Sequence, residues 1–148
     1  MKFDNQYYMR EALKEAQKAY EKDEVPVGAV IVFNEKIIAR TYNLTETLND
    51  VTAHAEMQAI TAAANALGGK YLSNCKLYVT IEPCPMCAGA LYWSQIDEVI
   101  YGATDNKMGA ISKGYMLLHP KTKITKGVLE NDCAQLMKNF FKNKRIKS

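Results

Sequence analysis

The order of apolar patterns along this chain predicts an α/β protein, a three-layer α/β/α sandwich around a mixed five-stranded sheet. Three observations carry that expectation. Helical periodicity opens and closes the chain. Two β-branched runs flank Asn34-Glu35 as a hairpin near the start. Helices then alternate with strands through the second half, which implies parallel pairing with helices laid on the sheet. The 148 residues suit one domain across 1–148, long enough to bury a core.

The elements follow in order. Asp4 to Lys22 carries Tyr8, Met9, Ala12, Leu13, Ala16, Ala19 and Tyr20 on one helical face. Pro26 stops any continuation. Val27 to Phe33 and Lys36 to Thr41 read as the hairpin strands, followed by a polar stretch from Tyr42 to Thr52. Ala53 to Leu67 reads as a second helix, with Thr52 as its N-cap and Gly68-Gly69 as its stop. Leu77 to Ile81 is a strand. Pro85 to Gln95 is a helix with proline in its first turn, where the missing N–H costs little. Glu98 to Gly102 and Lys123 to Gly127 complete the sheet, and Glu130 to Arg145 closes the chain as a helix.

Composition narrows the class. Hydrophobic residues make up 48% and charged residues 24%, the balance of a globular protein. The start is polar, and the longest apolar run, Val25 to Phe33, is broken by Pro26 and Gly28 and is too short to span a bilayer. A cytoplasmic protein with no membrane partner is therefore expected. Charge is uneven: residues 1–104 hold 9 basic and 13 acidic side chains, a net −4, whereas residues 105–148 hold 10 and 3, a net +7. Such a segment is either a solvated face with a frayed tail or a footprint for a polyanion. Within it, residues 138–148 form a basic C-terminal helix and tail.

Two short motifs carry chemistry. His54-Ala55-Glu56 falls at the start of the second helix, and Pro83-Cys84-Pro85-Met86-Cys87 at the strand-to-helix junction before the third. His54 and Glu56 would diverge in mid-helix but can both reach a centre lying off a helix end. Cys84 and Cys87, three apart, share one side of their own first turn. One imidazole and two thiolates suit Zn²⁺, and three protein ligands leave a fourth position for water, as in a catalytic site. Glu56 is then free to carry protons. Each motif alone has rivals, the P-C-x-x-C a redox pair; together they form the H-x-E…P-C-x-x-C signature of zinc deaminases. Cys75 and Cys133 have no such partner and read as small buried hydrophobes.

The chain resembles the bacterial tRNA-specific adenosine deaminases, of the cytidine deaminase-like superfamily. The matching stretches are Val25 to Val32, Asn43, Thr52 to Glu56, Leu77 to Ala90, Tyr101 to Ala110, and the ending Gly127 to Cys133 with Phe140-Phe141-Lys142. The resemblance implies one Zn²⁺ per chain on His54, Cys84 and Cys87, and Glu56 as the catalytic proton carrier. It also implies a homodimer and a tRNA anticodon stem-loop as partner. The reaction implied is conversion of the wobble adenosine to inosine, with water activated at the metal replacing the C6 amine and ammonia leaving.

For the base, the resemblance points to Asn43 as a hydrogen-bonding group, Val27 as pocket lining and a backbone N–H near Ala55. Asp105, Lys107 and His119 are further RNA-contact candidates. Local readings compete with these: Asn43 as a turn residue, Asp105 to Lys107 as a surface turn, Trp93 and Tyr101 as core packing. Lys138, Lys142, Lys144, Arg145 and Lys147 with Phe140 and Phe141 would make a basic surface with aromatics, unless those two rings pack in the core. The segment between Ala110 and Val128 is shorter than in many members of that family. Glu82 to Trp93 also resembles free guanine deaminases, so a deaminase of a free base or nucleoside (guanine, cytosine or cytidine) is the alternative. A non-catalytic zinc module is a third reading. It would need a fourth ligand from His119, Cys75 or Cys133.

Overall fold

The computed structural model describes residues 3–147, with side chains described through 145. Nine elements follow one another: α1 (Asn5–Glu21), β1 (Gly28–Phe33), β2 (Lys36–Tyr42), α2 (Ala55–Leu67), β3 (Cys75–Ile81), α3 (Pro85–Ser94), β4 (Glu98–Ala103), β5 (Lys123–Thr125) and α4 (Glu130–Lys147). The five strands form one mixed sheet in the order β2-β1-β3-β4-β5. β1 pairs antiparallel with both β2 and β3, while β3-β4 and β4-β5 are parallel. The three-layer α/β/α expectation and the five strands are thus met.

Local chemistry explains the boundaries. The Asp4 carboxylate caps α1 by accepting from Tyr7 N–H at 2.8 Å. Asn34 and Glu35 both adopt positive φ, 51° and 64°, the backbone that lets a two-residue turn match the strand twist. The register slips by one residue between Ile31 and Val32, so the hairpin carries a bulge. Two expectations are corrected. Thr52 does not cap α2: its hydroxyl and N–H both bond Asp50 Oδ1 in a tight turn. His54 occupies the N-cap position instead, without a side-chain cap bond. β3 begins two residues earlier than its apolar run because Lys76 can pair with Glu98 across the sheet.

Alternation along the strands splits the core into two layers. Ala29, Ile31, Leu77, Val79, Val99 and Tyr101 face α2 and α3, together with Ala55, Ala59, Ala63 and Leu91. Val30, Val32, Tyr78 and Ile100 face the other way, against Tyr8, Met9 and Ala12 of α1 and Cys133 of α4. Both isolated cysteines are buried among apolar groups, Cys75 in the first layer and Cys133 in the second. Tyr101 is core, as expected, but Trp93 is not: it stands 76% exposed on α3, edge-on to Tyr92. Phe140 is buried against Tyr20, and Lys144 reaches Asp23 at 2.6 Å. These two residues therefore serve to dock α4 on α1, and the basic aromatic surface is reduced to Phe141 and the remaining cations. Lys147, also assigned to that surface, lies outside the residues whose side chains are described. No helix among the described residues is long and apolar enough to cross a membrane.

The approach of α1 to β1 depends on Gly28. A Cβ there would sit 2.1 Å from Ala12 O and 2.4 Å from Ala16 N, so the helix could not stay in place. Gly28→Ala should cost about 1–3 kcal/mol through overpacking, read from urea unfolding midpoints. Gly69→Ala, where a Cβ would meet nothing within 4 Å, should leave the midpoint nearly unchanged. Equal midpoints for Gly28→Ala and the parent would show that the layer spacing is not set there.

Candidate metal centre

Two helix starts meet at one point. His54 is the N-cap of α2 and Cys84 the N-cap of α3, both in extended backbone, with Cys87 one turn on. Pro85 begins α3 and holds the chain in the direction that the helix needs. α2 and α3 lie on the same face of the sheet, and α3 leaves the C-terminal end of β3, an edge where parallel α/β sheets place their sites. His54 Nδ1 lies 3.6 Å from Cys84 Sγ and 3.5 Å from Cys87 Sγ. All three donor atoms lie within 4.8 Å of one another. A tetrahedral zinc with ordinary bond lengths would separate imidazole nitrogen and thiolate sulfur by about 3.6 Å, so the residues present fit that ion. His54, Cys84 and Cys87 are the ones that would hold it. Among the described residues, neither Cys75, Cys133 nor His119 joins the cluster, so the fourth ligand of a closed structural site is not supplied by any of them.

The electrostatics suit the same ion. A hydrogen bond from Cys87, together with one from His54, holds Cys84 down to about 4 against the opposing effect of burial. Cys87 is pushed the other way, by sharing its proton with Cys84 and by its own burial. One thiolate is thus favoured even without metal, and the α3 N-terminus adds positive dipole to it. Contact with Cys84 raises the pKa of His54 although burial opposes it.

Glu56 is the second residue of α2 and is almost fully buried. Burial lifts its carboxyl to about 7, with its own backbone N–H and His54 opposing and Cys84 adding to the rise. A carboxyl titrating near neutral pH can both take and give a proton.

These groups lie in a cleft of about 470 Å³. Val27, Asn43, Ala55 and Asp105 line it along with His54, Glu56 and Cys84. The structure therefore brings together every sequence-assigned residue except two. Lys107 is exposed on the turn after Asp105, its N–H bonded to Asp105 Oδ1 at 3.1 Å. His119 lines a separate depression of about 310 Å³, beside the Tyr92 ring. Asn43 combines both of its readings. It makes a local turn, accepting from Thr45 N–H at 3.3 Å, and it faces the cleft.

Several lining residues carry no assignment from sequence. Met108 and Met137 belong to distant loop and helix segments, and only the fold brings them to the cleft. Glu82 is buried and accepts from the N–H of Asp105 at 3.1 Å, the N–H of Ser112 at 2.6 Å and the Ser112 hydroxyl. It ties the 105–112 loop over one side of the cleft. A Cβ on Gly109 would lie 2.3 Å from that carboxylate, so the loop closes only with glycine there. The available signal was an acid directly after the apolar run Leu77 to Ile81, since an acid so placed must find donors.

Comparison with known proteins agrees with this geometry. Residues 2–103 match the cytidine and deoxycytidylate deaminase zinc-binding region. The tRNA-specific adenosine deaminase of Bacillus subtilis (strain 168) is 47% identical over 148 residues, covering 97% of this chain and 92% of its own. That of Aquifex aeolicus (strain VF5) is 44% identical over 144 residues, covering 95% of each. A solved structure from work on A-to-I editing by tRNA:A34 deaminases at the wobble position superposes with a TM-score of 0.82 at 43% identity, covering 88% of this chain and 98% of that one. Guanine deaminase from Bacillus subtilis superposes with a TM-score of 0.68 at 38% identity, over 76% of this chain and 71% of that one. With the His54, Cys84 and Cys87 cluster in place beside Glu56, the chain belongs to the cytidine and deoxycytidylate deaminase family, through its zinc-binding region.

Proposed function

We propose that this protein is a zinc-dependent deaminase that converts the wobble adenosine of a tRNA anticodon to inosine. The observation that carries the reading is the His54-Cys84-Cys87 cluster beside buried Glu56, in a chain close to tRNA-specific adenosine deaminases along nearly all of its length. One zinc per chain fits the one cluster found among the described residues. Zinc held there supplies Lewis acidity, which acidifies water.

The remaining work falls to the chain's own groups. An anticodon loop offers a base already unpaired, so bringing it into the cleft costs a few kcal/mol at most. Asn43 hydrogen-bonds the base edge, Val27 packs against its face, and a backbone N–H near Ala55 completes the contact. Glu56 takes a proton from the attacking water and passes it to the ring nitrogen. It then takes the proton of the hydroxyl left on C6 and delivers it to the amine. Water's oxygen replaces the amino group at C6, and ammonia leaves. Asp105 and Lys107 lie on the loop that walls the cleft, and His119 lies farther out; we assign all three to the RNA beyond the base. The net +7 of residues 105–148 favours such a polyanion. The protein works where its RNA is, in the cytoplasm.

Partner copies are also inferred. Trp93 and Met116 are 76% and 96% exposed. Tyr92 touches both Trp93 and His119, and His119 shares its depression with Tyr115 and Met116. A surface this apolar is unusual on a monomer and is assigned to a homodimer.

Three measurements test this reading. An anticodon stem-loop with adenosine at the wobble position should yield inosine, and guanine, cytosine and cytidine should release little ammonia. Turnover of guanine with an inert stem-loop would instead establish the free-base alternative, which the guanine deaminase likeness keeps specific. Glu56→Gln should retain stoichiometric zinc while kcat falls by about 10²–10⁴; full activity with zinc present would remove Glu56 from the reaction. Trp93→Glu should shift the mass found by light scattering from dimer to monomer, and an unchanged mass would place any dimer contact elsewhere.

A further inference from the structure

Glu24 has no exposed surface at all, and neutral donors hold its carboxylate. Glu46 N–H donates to Oε1 at 3.0 Å, while Thr47 N–H and the Thr47 hydroxyl donate to Oε2 at 2.6 and 2.7 Å. Burying a charge in this way is costly, and a neutral side chain of similar size would avoid the cost. A carboxylate has one property that such a replacement lacks. Both of its oxygens accept and neither donates, so it can collect three convergent donors without a clash.

All three donors come from the loop that begins at Asn43. The N–H of Asn43 bonds Val27 O at 3.0 Å. Its carboxamide is tied at both ends: Nδ2 donates to Val25 O at 3.3 Å, and Oδ1 accepts from Thr45 N–H at 3.3 Å. Val25 directly follows Glu24 in the chain, and Thr45 directly precedes the two residues that Glu24 grips. A carboxamide has two N–H donors and two acceptor lone pairs, so these bonds leave one of each for the cleft that Asn43 lines. Which one points where depends on Thr45 N–H staying in place. A loop freed from Glu24 would release that bond and let the carboxamide turn.

We propose that Glu24 is a positioning residue for Asn43, fixing through Glu46 and Thr47 the face that the Asn43 carboxamide turns into the cleft. The proposal rests on the reading of Asn43 as a base contact. It assigns Glu24 no contact with substrate or metal. Its effect belongs to substrate positioning, whereas a merely structural acid would change only the amount of folded protein.

The experiment is a kinetic double-mutant cycle on the full zinc-loaded protein, with the wobble-adenosine stem-loop as substrate. Glu24→Gln puts an amide donor against the donors of the loop. It should lower kcat/KM about tenfold, mainly through KM, as displaced positioning groups do, with zinc content unchanged. In the Asn43→Ala background the same substitution should do less than about twofold further harm, because its target is gone. Thr47→Val keeps the size but deletes one donor. It should give a smaller loss that also vanishes beside Asn43→Ala, and it decides the matter if Glu24→Gln does not fold. Losses that multiply across the cycle, with Asn43→Ala itself damaging, would overturn the positioning role alone. So would an unchanged KM with kcat reduced in proportion to the folded fraction. An Asn43→Ala variant with parental kinetics would remove the base contact and the proposal with it.

Discussion

Three donor atoms from two chain segments some thirty residues apart must meet within 4.8 Å, and the rest of the molecule is arranged around that convergence. Neither segment can place its donors alone. His54 sits at the start of α2 and the cysteines at the start of α3, so the two helices must lie side by side on one sheet face with their N-termini together. That placement follows from β1 and β3 being neighbours in the sheet, with the apolar residues of alternating parity directed to the α2 and α3 side. Helix N-termini are also the ends that favour anionic sulfur, so the backbone geometry that collects the ligands also helps to ionise them.

Three buried glutamates surround the cleft, and their neighbours set them different tasks. Glu56 is buried with few donors, so loss of water dominates and its carboxyl titrates near 7. Glu24 has no exposed surface, but it loses less to burial than Glu56 does, and bonds from Thr47 and Glu46 keep its pKa below the ordinary carboxylate value. Glu82 collects amides and a hydroxyl from the 105–112 loop. One side-chain type is thus poised near neutrality where donors are scarce and anchors loops where donors converge. The two anchors tie two loops that line the cleft, one with Asn43 and Thr45 and the other with Asp105 and Met108, and His54, Cys84 and Glu56 line it with them.

Much of this was legible in the chain because it depends on short-range pattern. Helical periodicity placed α1 and α4, the turn at Asn34-Glu35 placed the hairpin, and Pro85 marked the start of α3. The ligand set was legible for a related reason: H-x-E and P-C-x-x-C each confine their donors to one helical turn, and the donor chemistry selects the ion. Differences arose where a competing hydrogen bond or the packing of a helix face decided the outcome. Thr52 has the side chain of a cap, but Asp50 takes its hydroxyl, and the helix begins two residues later than expected. Trp93 looked like core because it is large and apolar, yet its helix face turns away from the sheet. For Phe140 the sequence left surface and core both open, and contact with Tyr20 on α1 decides for the core.

By itself, then, the sequence determined the layer architecture and singled out His54, Cys84, Cys87 and Glu56 as candidates, since these follow from periodicity, spacing and donor chemistry within a few residues, while the family was legible through resemblance along most of the chain. Only the tertiary structure decided which groups wall the cleft and what holds those walls. Glu24, Met108 and Met137 bear no local mark of a site, and Glu82 bears only its place directly after an apolar run. They belong to it because sheet pairing and helix docking bring their backbones beside it, and buried carboxylates must then find donors on whichever loops pass within reach. His119 was separated from the cleft for the same reason: the chain after Ala110 packs toward Tyr92 on the outside of α3, a choice made by packing rather than by any motif.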